Sequence, residues 1–283
     1  MKFGMNLLLW TGELHEGLYP VLEQLKVAGF DGVEIPVFHR DVDACSQWAA
    51  RLDDLGLERT AVTVRNAEDN PMSPDASVRA RGIAANQQTL DCCRALGASQ
   101  LVGPFHSAIG AFSGAGPTED EWKWAVDSMQ QLAEYAGQVE INLAVEPLNR
   151  FEAYLINTAA DAARFVRQVN HPRCQALYDT FHANIEEKNV RHAIESCADV
   201  LGEVHICEND RSTPGLGNVP WKTTFDALQS VGYDGWMVIE AFGMALPELA
   251  AATKIWRKMY DTELKLAKDG LEFMKQQVAA RWA

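Results

Sequence analysis

The sequence lacks long hydrophobic runs and an excess of basic residues. Lys and Arg number 25 against 39 Asp and Glu in 283 residues, which gives a formal net charge of −14. A surface this acidic repels phosphate backbones and anionic lipids, so we expect no nucleic-acid and no membrane partner. No apolar run approaches the roughly 20 residues of a membrane span, and the apolar start at residues 5–10 is too short for a secretory leader. We therefore expect a cytoplasmic protein.

Paired cysteine motifs are also missing. The six cysteines show no C-x-x-C spacing and lie in apolar segments; they are Cys45, Cys92, Cys93, Cys174, Cys197 and Cys207. This usage is typical of reduced, buried thiols in a cytoplasmic protein. We interpret Cys207, which follows a histidine by two residues, as a small packing residue rather than a metal ligand.

A glycine-rich dinucleotide fingerprint is absent from the first strand–helix turn, which is one reason to prefer a barrel over an open doubly wound sheet. The chain alternates eight strand-like segments with eight amphipathic helical segments, several of which end at a glycine, such as Gly29, Gly56 and Gly97. Strict alternation implies parallel strands with helical crossovers, and eight repeats of about thirty residues match the α/β class (β/α)8, or TIM, barrel. We predict a single catalytic barrel domain over residues 1–283, with an extended helical segment from Leu246 to the end.

Four consecutive predicted strands in the second half of the chain carry a polar residue at or near their carboxyl ends. These residues are Glu146, Asp179, His205 and Glu240. Because the carboxyl ends of barrel strands meet at one rim, we expect the four side chains to converge. Three clustered carboxylates raise one another's pKa, and a divalent cation removes that conflict. Mixed carboxylate and imidazole ligands suit Mn²⁺, Co²⁺ or Mg²⁺ better than a structural Zn²⁺.

Each of these residues also has a purely structural interpretation. A glutamate at a strand end often caps a turn or forms an ion pair, and His205 alone fits a hydrogen-bonded core histidine. Four such residues in consecutive units, each flanked by apolar residues, favour a site. We interpret Glu208 and Asp210 as loop acids, whereas Trp10 and Phe242 fit either an apolar pocket wall or ordinary barrel packing.

Further polar residues follow the same strands. Glu152 lies just beyond strand five, His182 follows strand six, and Arg211 lies in a Gly/Pro-rich loop after strand seven. A cation beside a metal site fits an anionic oxygen that develops during a reaction. Arg211 fits equally well as a solvated loop residue paired with Asp210.

The motifs "VEPLNRFEAYLINTAADAARFV", "YDTFHANIEE", "VHICENDRSTPGLGNVPW" and "VIEAF" resemble the D-tagatose 3-epimerase and D-allulose (D-psicose) 3-epimerase family, within the wider xylose-isomerase-like TIM barrels. The resemblance covers almost the whole chain and is strongest over residues 140–243. "CENDR" and the loops "TVRNAEDNP" and "VGPFHSAIGAF" match less well. These loops shape the pocket around the far end of the sugar, so the preferred ketose stays open.

The resemblance implies roles for specific residues. A divalent metal, usually Mn²⁺ or Co²⁺ in this family, would be bound by Glu146, Asp179, His205 and Glu240. Substrate contacts would fall on Glu152, His182 and Arg211. The implied activity is metal-dependent epimerisation of free ketohexoses or ketopentoses at C3 through a cis-enediolate, with Glu146 and Glu240 exchanging protons on opposite faces of C3.

The sequence leaves several other functions open. Hydroxypyruvate isomerase, inosose dehydratase and aldose–ketose isomerases share the metal rim, so the rim does not exclude them. An endonuclease IV-like enzyme would need a His-rich site and a basic face, but the chain has seven histidines and a charge of −14. A non-catalytic sugar-binding barrel would not need two proton-exchanging groups such as Glu146 and Glu240. The resemblance and the apolar residues of the terminal segment, Trp256, Met259, Leu264, Leu271 and Met274, predict a homodimer or homotetramer.

Overall fold

Eight parallel strands form one closed barrel in the computed structural model, which describes residues 1–282. The strands are β1 Lys2–Asn6, β2 Gly32–Pro36, β3 Glu58–Val62, β4 Gln100–Gly103, β5 Asn142–Val145, β6 Cys174–Asp179, β7 Leu201–Ile206 and β8 Trp236–Ile239. Each strand pairs with its neighbours in sequence, and β8 pairs with β1 to close the sheet. The predicted (β/α)8 barrel is confirmed.

Helices follow the strands around the outside of the barrel. They are α1 Tyr19–Ala28, α2 Val42–Leu55, α3 Ala76–Leu96, α4 Glu119–Val139, α5 Ala159–Val169, α6 Thr180–Glu186, α7 Val190–Cys197, α8 Trp221–Ser230, α9 Pro247–Thr253 and α10 Glu263–Ala279. The expected alternation of one helix per strand is wrong after β6, where the short α6 precedes α7. The terminal segment consists of two helices, α9 and α10, with residues 254–262 between them.

Local sequence signals account for the helix ends. Gly29, Gly56 and Gly97 each follow a helix with φ of 96°, 64° and 68°, a left-handed conformation that glycine adopts without steric cost. At the start of α4, Thr118 Oγ1 accepts a hydrogen bond from the Glu121 backbone N–H, and the Glu121 carboxylate accepts one from the Thr118 N–H. This reciprocal pair is a capping box, and its Thr-x-x-Glu spacing is visible in the sequence.

The apolar core has two parts. The larger part packs the strands against the surrounding helices. A smaller cluster includes Leu8, Val62, Val102, Leu177 and Phe242. All six cysteines are buried and unpaired, as predicted. None of the helices in residues 1–282 combines the length and the hydropathy needed to cross a membrane.

Candidate active site

The structure brings together the four side chains predicted at the strand ends. Glu146, Asp179, His205 and Glu240 each offer one nitrogen or oxygen, and these atoms all lie within 4.8 Å of one another. His205 Nδ1 is 3.8 Å from Glu146 Oε1, 3.6 Å from Asp179 Oδ2 and 3.5 Å from Glu240 Oε1. All four residues are buried. Consecutive strands β5 to β8 therefore deliver one polar group each to a single point at the rim.

The hydrogen bonding of this cluster fits a divalent cation. Asp179 Oδ2 and His205 Nδ1, which face the cluster, have no hydrogen-bond partner within residues 1–282, although both atoms are buried. Buried polar atoms are normally satisfied, so these atoms require a partner that the protein itself does not supply. Three carboxylates and one imidazole are the donors that Mn²⁺, Co²⁺ and Mg²⁺ accept.

Asp179 uses one carboxylate oxygen to cap a helix and directs the other at the cluster. Its Oδ1 accepts hydrogen bonds from the backbone N–H groups of Phe181 at 2.6 Å and His182 at 3.1 Å, and so caps α6. The other oxygen, Oδ2, faces the cluster. Capping holds the carboxylate in one orientation, so the same residue begins a helix and presents an oxygen at the rim.

The electrostatics of the two clustered glutamates favour their protonated forms in the metal-free protein. Burial, together with the nearby Glu240, holds the pKa of Glu146 well above its ordinary value. Burial also raises the pKa of Glu240 to about 7. Raised pKa values of this kind are typical of carboxyls that exchange protons in active sites.

The other two members of the cluster are charged. Burial opposes the ionisation of Asp179, but His182, His205 and Arg211 together outweigh it and the pKa of Asp179 is lowered. Burial likewise opposes charge on His205, but the carboxylates of Glu34 and Glu240 hold the pKa of this imidazole well above its ordinary value. The cluster attracts positive charge strongly enough to overcome the cost of burial.

Arg211 lies inside this site rather than in solvent. Its Nη1 donates a hydrogen bond to Glu240 Oε2 at 2.6 Å, and its Nη2 lies 3.2 Å from His182 Nε2 and 3.6 Å from Glu152 Oε1. The backbone of Arg211 has φ of 63°, in the left-handed region that a non-glycine residue seldom adopts. Arg211 thus links the metal-ligand candidates to the two predicted substrate contacts.

Aromatic rings enclose the guanidinium. Its carbon lies 3.7 Å from the ring centroid of Phe181 and 4.9 Å from that of Phe242. The neighbouring acid, Asp210, instead accepts hydrogen bonds from Ser212. The alternative interpretation of Arg211 as a solvated partner of Asp210 is therefore wrong.

His182 is held as a neutral imidazole. Burial and the adjacent Arg211 lower its pKa to about 4. The backbone N–H of Asn149 donates to Nδ1 at 2.9 Å, so the proton of the neutral ring lies on Nε2. Nε2 is 3.6 Å from Glu146 Oε1. The ring thus presents a hydrogen-bond donor beside one of the clustered glutamates.

A cavity of about 960 Å³ opens above the cluster. Its floor includes Glu146, Glu152, His182, Arg211 and Glu240. The apolar part of its wall comes from several loops and from the start of α9, and includes Trp10, Phe38, Phe242, Leu246 and Leu249. The pocket-wall interpretation of Trp10 and Phe242 is confirmed.

Sequence reasoning missed two sets of buried acids. Glu208, interpreted above as a loop acid, is fully buried and accepts hydrogen bonds from Gly215 N, Val219 N and Trp221 Nε1, so it holds the β7–α8 loop together. Glu34 and Glu203 lie inside the barrel below the cluster. The available signal was an acidic residue in the middle of an apolar strand, as in "GVEIP" and "GEVHI".

Known proteins resemble the chain over nearly its full length. Residues 22–277 match the family model described as xylose isomerase-like TIM barrel. A probable ketose 3-epimerase of Synechocystis sp. is 33% identical over 98% of this chain and 96% of the relative. The L-ribulose 3-epimerase of Methylomonas sp. is 30% identical over 98% of this chain and 97% of the relative.

Solved structures agree with these relatives. The crystal structure of a D-allulose 3-epimerase from Methylomonas sp. in complex with D-allulose has a TM-score of 0.92 at 30% identity, over 98% of this chain and 97% of that chain. A D-psicose 3-epimerase from Clostridium cellulolyticum, solved with D-tagatose, has a TM-score of 0.89 at 29% identity, over 98% of this chain and 99% of that chain. The chain therefore belongs to the ketose 3-epimerases of the xylose isomerase-like TIM-barrel family.

Proposed function

We propose that this protein is an isomerase that interconverts free ketohexoses or ketopentoses at C3 and depends on a divalent metal. The observation that carries the proposal is the pair of buried carboxyls, Glu146 and Glu240, which belong to the cation-attracting cluster at the floor of the cavity. Full-length relatives named as ketose 3-epimerases support the same reaction. Two carboxyls in a cation site are suited to removing and returning a proton on the carbon next to a carbonyl group.

The metal site is proposed from the chemical types of its ligand atoms, which are carboxylate oxygens and one imidazole nitrogen. Glu146, Asp179, His205 and Glu240 would hold one divalent cation, Mn²⁺ by preference and Co²⁺ or Mg²⁺ as alternatives. When bound, the cation would supply Lewis-acid stabilisation of negative charge on a neighbouring oxygen and would compensate the three carboxylates.

The proton transfers are assigned to the two glutamates. One glutamate removes the C3 proton from one face of the sugar, and the other returns a proton to the opposite face of the resulting cis-enediolate. One must be ionised while the other is protonated, so their environments have to differ. Arg211 donates to Glu240 and is assigned the stabilisation of negative charge on O2.

Two further residues, His182 and Glu152, are assigned the binding of the O1 end of the sugar. Because the Asn149 N–H donates to Nδ1, the Nε2–H of neutral His182 is available to donate to the sugar, and Glu152 Oε1 accepts a hydrogen bond from Asn149 Nδ2 at 2.9 Å. Asn149 thus contacts both side chains and fixes their spacing. Proximity of His182 Nε2 to Glu146 also tunes the proton affinity of that glutamate.

We retain a homodimer or homotetramer as part of the proposal. Leu271 and Met274 are buried against the chain's own barrel, so they do not support an interface. Exposed large apolar side chains at Trp256, Phe151 and Met244 remain available for one. Light scattering at micromolar concentration tests this proposal, and a monomeric mass would contradict it.

The proposed activity is tested by product analysis. Ketopentoses and ketohexoses are incubated with the Mn²⁺-loaded protein, and the products are identified by NMR. The proposal expects C3 epimers. An aldose as the product of D-fructose would instead identify an isomerase acting between C1 and C2.

A further inference from the structure

A second polar layer lies inside the barrel beneath the four proposed metal ligands. It consists of buried side chains from β1, β2, β3, β4 and β7: Asn6, Glu34, Thr60, Gln100 and Glu203. Barrel interiors of this fold are normally filled by branched apolar residues, and burial of two carboxyls is costly. The proton transfers proposed above use none of these side chains.

Glu34 is the residue of this layer that contacts the proposed metal site most closely. Its Oε1 lies 3.0 Å from His205 Nε2. The same oxygen accepts a hydrogen bond from Asn6 Nδ2 at 2.8 Å, and Oε2 accepts one from Thr60 Oγ1 at 2.9 Å. Both carboxylate oxygens are therefore fixed by donors on the two neighbouring strands.

The contact determines how the His205 ring is presented. Nδ1 faces Glu146, Asp179 and Glu240, whereas Nε2 faces Glu34. A carboxylate accepts but does not donate, so Glu34 places a ring proton on Nε2. The lone pair on Nδ1 is then directed at the cluster, and a ring flip would break the contact with Glu34.

Glu203 is a more distant neighbour of the same nitrogen. Its Oε1 is 3.5 Å from His205 Nε2, and its Oε2 accepts a hydrogen bond from Gln100 Nε2 at 2.7 Å, across the barrel from β4 to β7. The longer distance makes Glu34 the principal partner of the ring.

We propose that Glu34 is a positioning residue that fixes the orientation and proton location of His205 and thereby strengthens the binding of the divalent cation. The proposal rests on the proposed function in one respect, the assignment of His205 as a ligand. Partners of this kind orient ligating histidines, and their loss typically lowers metal affinity about tenfold to hundredfold.

Glu34 is tested by two substitutions that differ in what they retain. Glu34→Leu removes both the charge and the acceptor, whereas Glu34→Gln keeps an amide oxygen that accepts from Nε2–H. Mn²⁺ affinity of the metal-free proteins is measured by competition with a fluorescent chelator. We expect affinity to fall about tenfold to hundredfold in Glu34→Leu, with partial rescue in Glu34→Gln.

A pair of threonine variants keeps the test decisive if Glu34→Leu does not fold. Thr60→Val removes one donor to Glu34, and Thr89→Val removes a hydroxyl of equal burial that donates to Ala85 O within α3. Only Thr60→Val should weaken Mn²⁺ binding. Histidine ¹⁵N NMR of the Mg²⁺-loaded wild type should show the His205 proton on Nε2.

The possible results separate this proposal from the proposed function. Wild-type affinity in folded Glu34→Leu, or in Thr60→Val where the leucine variant is unfolded, overturns the role of Glu34 and leaves the metal site intact. A His205 proton found on Nδ1 overturns it as well. Absence of Mn²⁺ binding by the wild type overturns the metal site itself.

Discussion

The Arg211 guanidinium donates a hydrogen bond of 2.6 Å from Nη1 to Glu240 Oε2. Glu146 Oε1 instead lies 3.6 Å from Nε2 of the neutral His182 ring, while His205 Nδ1 lies near both glutamates, 3.8 Å from Glu146 and 3.5 Å from Glu240. The guanidinium contact therefore distinguishes the environment of Glu240 from that of Glu146. Two carboxyls that take opposite roles in a proton exchange require such a difference.

Replacement of Arg211 by lysine tests this relationship. Lysine keeps the charge but loses the planar fork that reaches Glu240 with Nη1 and Glu152 with Nη2. We expect Arg211→Lys to lower kcat about 10²- to 10³-fold, as loss of a donor to a developing oxyanion does. The matched control is Arg167→Lys, at an exposed arginine paired with Asp199 on the outside of the barrel. Unchanged kcat in Arg211→Lys would exclude the assigned role.

Removal of the metal should abolish activity. The unsatisfied atoms of Asp179 and His205 and the three clustered carboxylates require a cation for the proposed chemistry. We expect exhaustive chelation to eliminate epimerisation and added Mn²⁺ or Co²⁺ to restore it. Metal content is verified by elemental analysis, and full activity of a demonstrably metal-free sample would refute the metal dependence.

Stabilisation by metal should increase with pH. The pKa of Glu240 is raised to about 7 and that of Glu146 is also raised, so both carboxyls are neutral in mildly acidic metal-free protein. Folded-state pKa values above the unfolded ones mean that the metal-free protein loses stability as pH rises through them. A bound cation needs the ionised carboxylates and offsets their repulsion.

The measurement is the increase in Tm on addition of Mn²⁺. We expect this increase to be larger at about pH 8 than at about pH 5.5, because Glu240, with its pKa raised to about 7, loses its proton between these values and the raised pKa of Glu146 acts in the same direction. The raised pKa of His205 acts in the same direction, since its ring must also lose a proton to bind metal. An increase in Tm that is independent of pH would show that these groups are not ligands.

The strand ends were predictable because two kinds of sequence signal coincide there. Apolar segments of strand length define β5 to β8, and the polar residue at each carboxyl end is then placed at one rim by the barrel itself. The short helix α6 was missed because its seven residues are too few to establish a helical period. Its cap, Asp179, was predicted as a strand end and a metal ligand, but no helix was predicted directly after it.

The contacts between distant segments were not predictable from the sequence. Gln100 and Glu203 are 103 residues apart and meet only because the sheet closes. The position of Arg211 depends on the left-handed backbone at that residue, which no neighbouring glycine indicates. Glu34 was visible as an acid within an apolar strand, but the sequence does not show which face of β2 it occupies.

The central claim is that Glu146 and Glu240 serve opposite faces of C3. Glu146→Gln and Glu240→Gln should each abolish epimerisation, a loss of at least about 10²-fold for removal of a positioned acid or base. Metal binding should weaken but persist, because each glutamine retains an oxygen. Metal content of both variants is checked first, so that lost activity is not simply lost metal.

The most direct measurement is NMR of C3–H exchange with D₂O, followed together with epimer yield for both epimers in both variants. The account predicts no epimer formation in either variant, with exchange retained only for the epimer whose C3 hydrogen faces the remaining glutamate. Near-normal epimerisation by either variant with its metal bound would contradict the assignment of two bases. Loss of exchange for both epimers in one variant, with the other variant fully active, would identify a single-base enzyme.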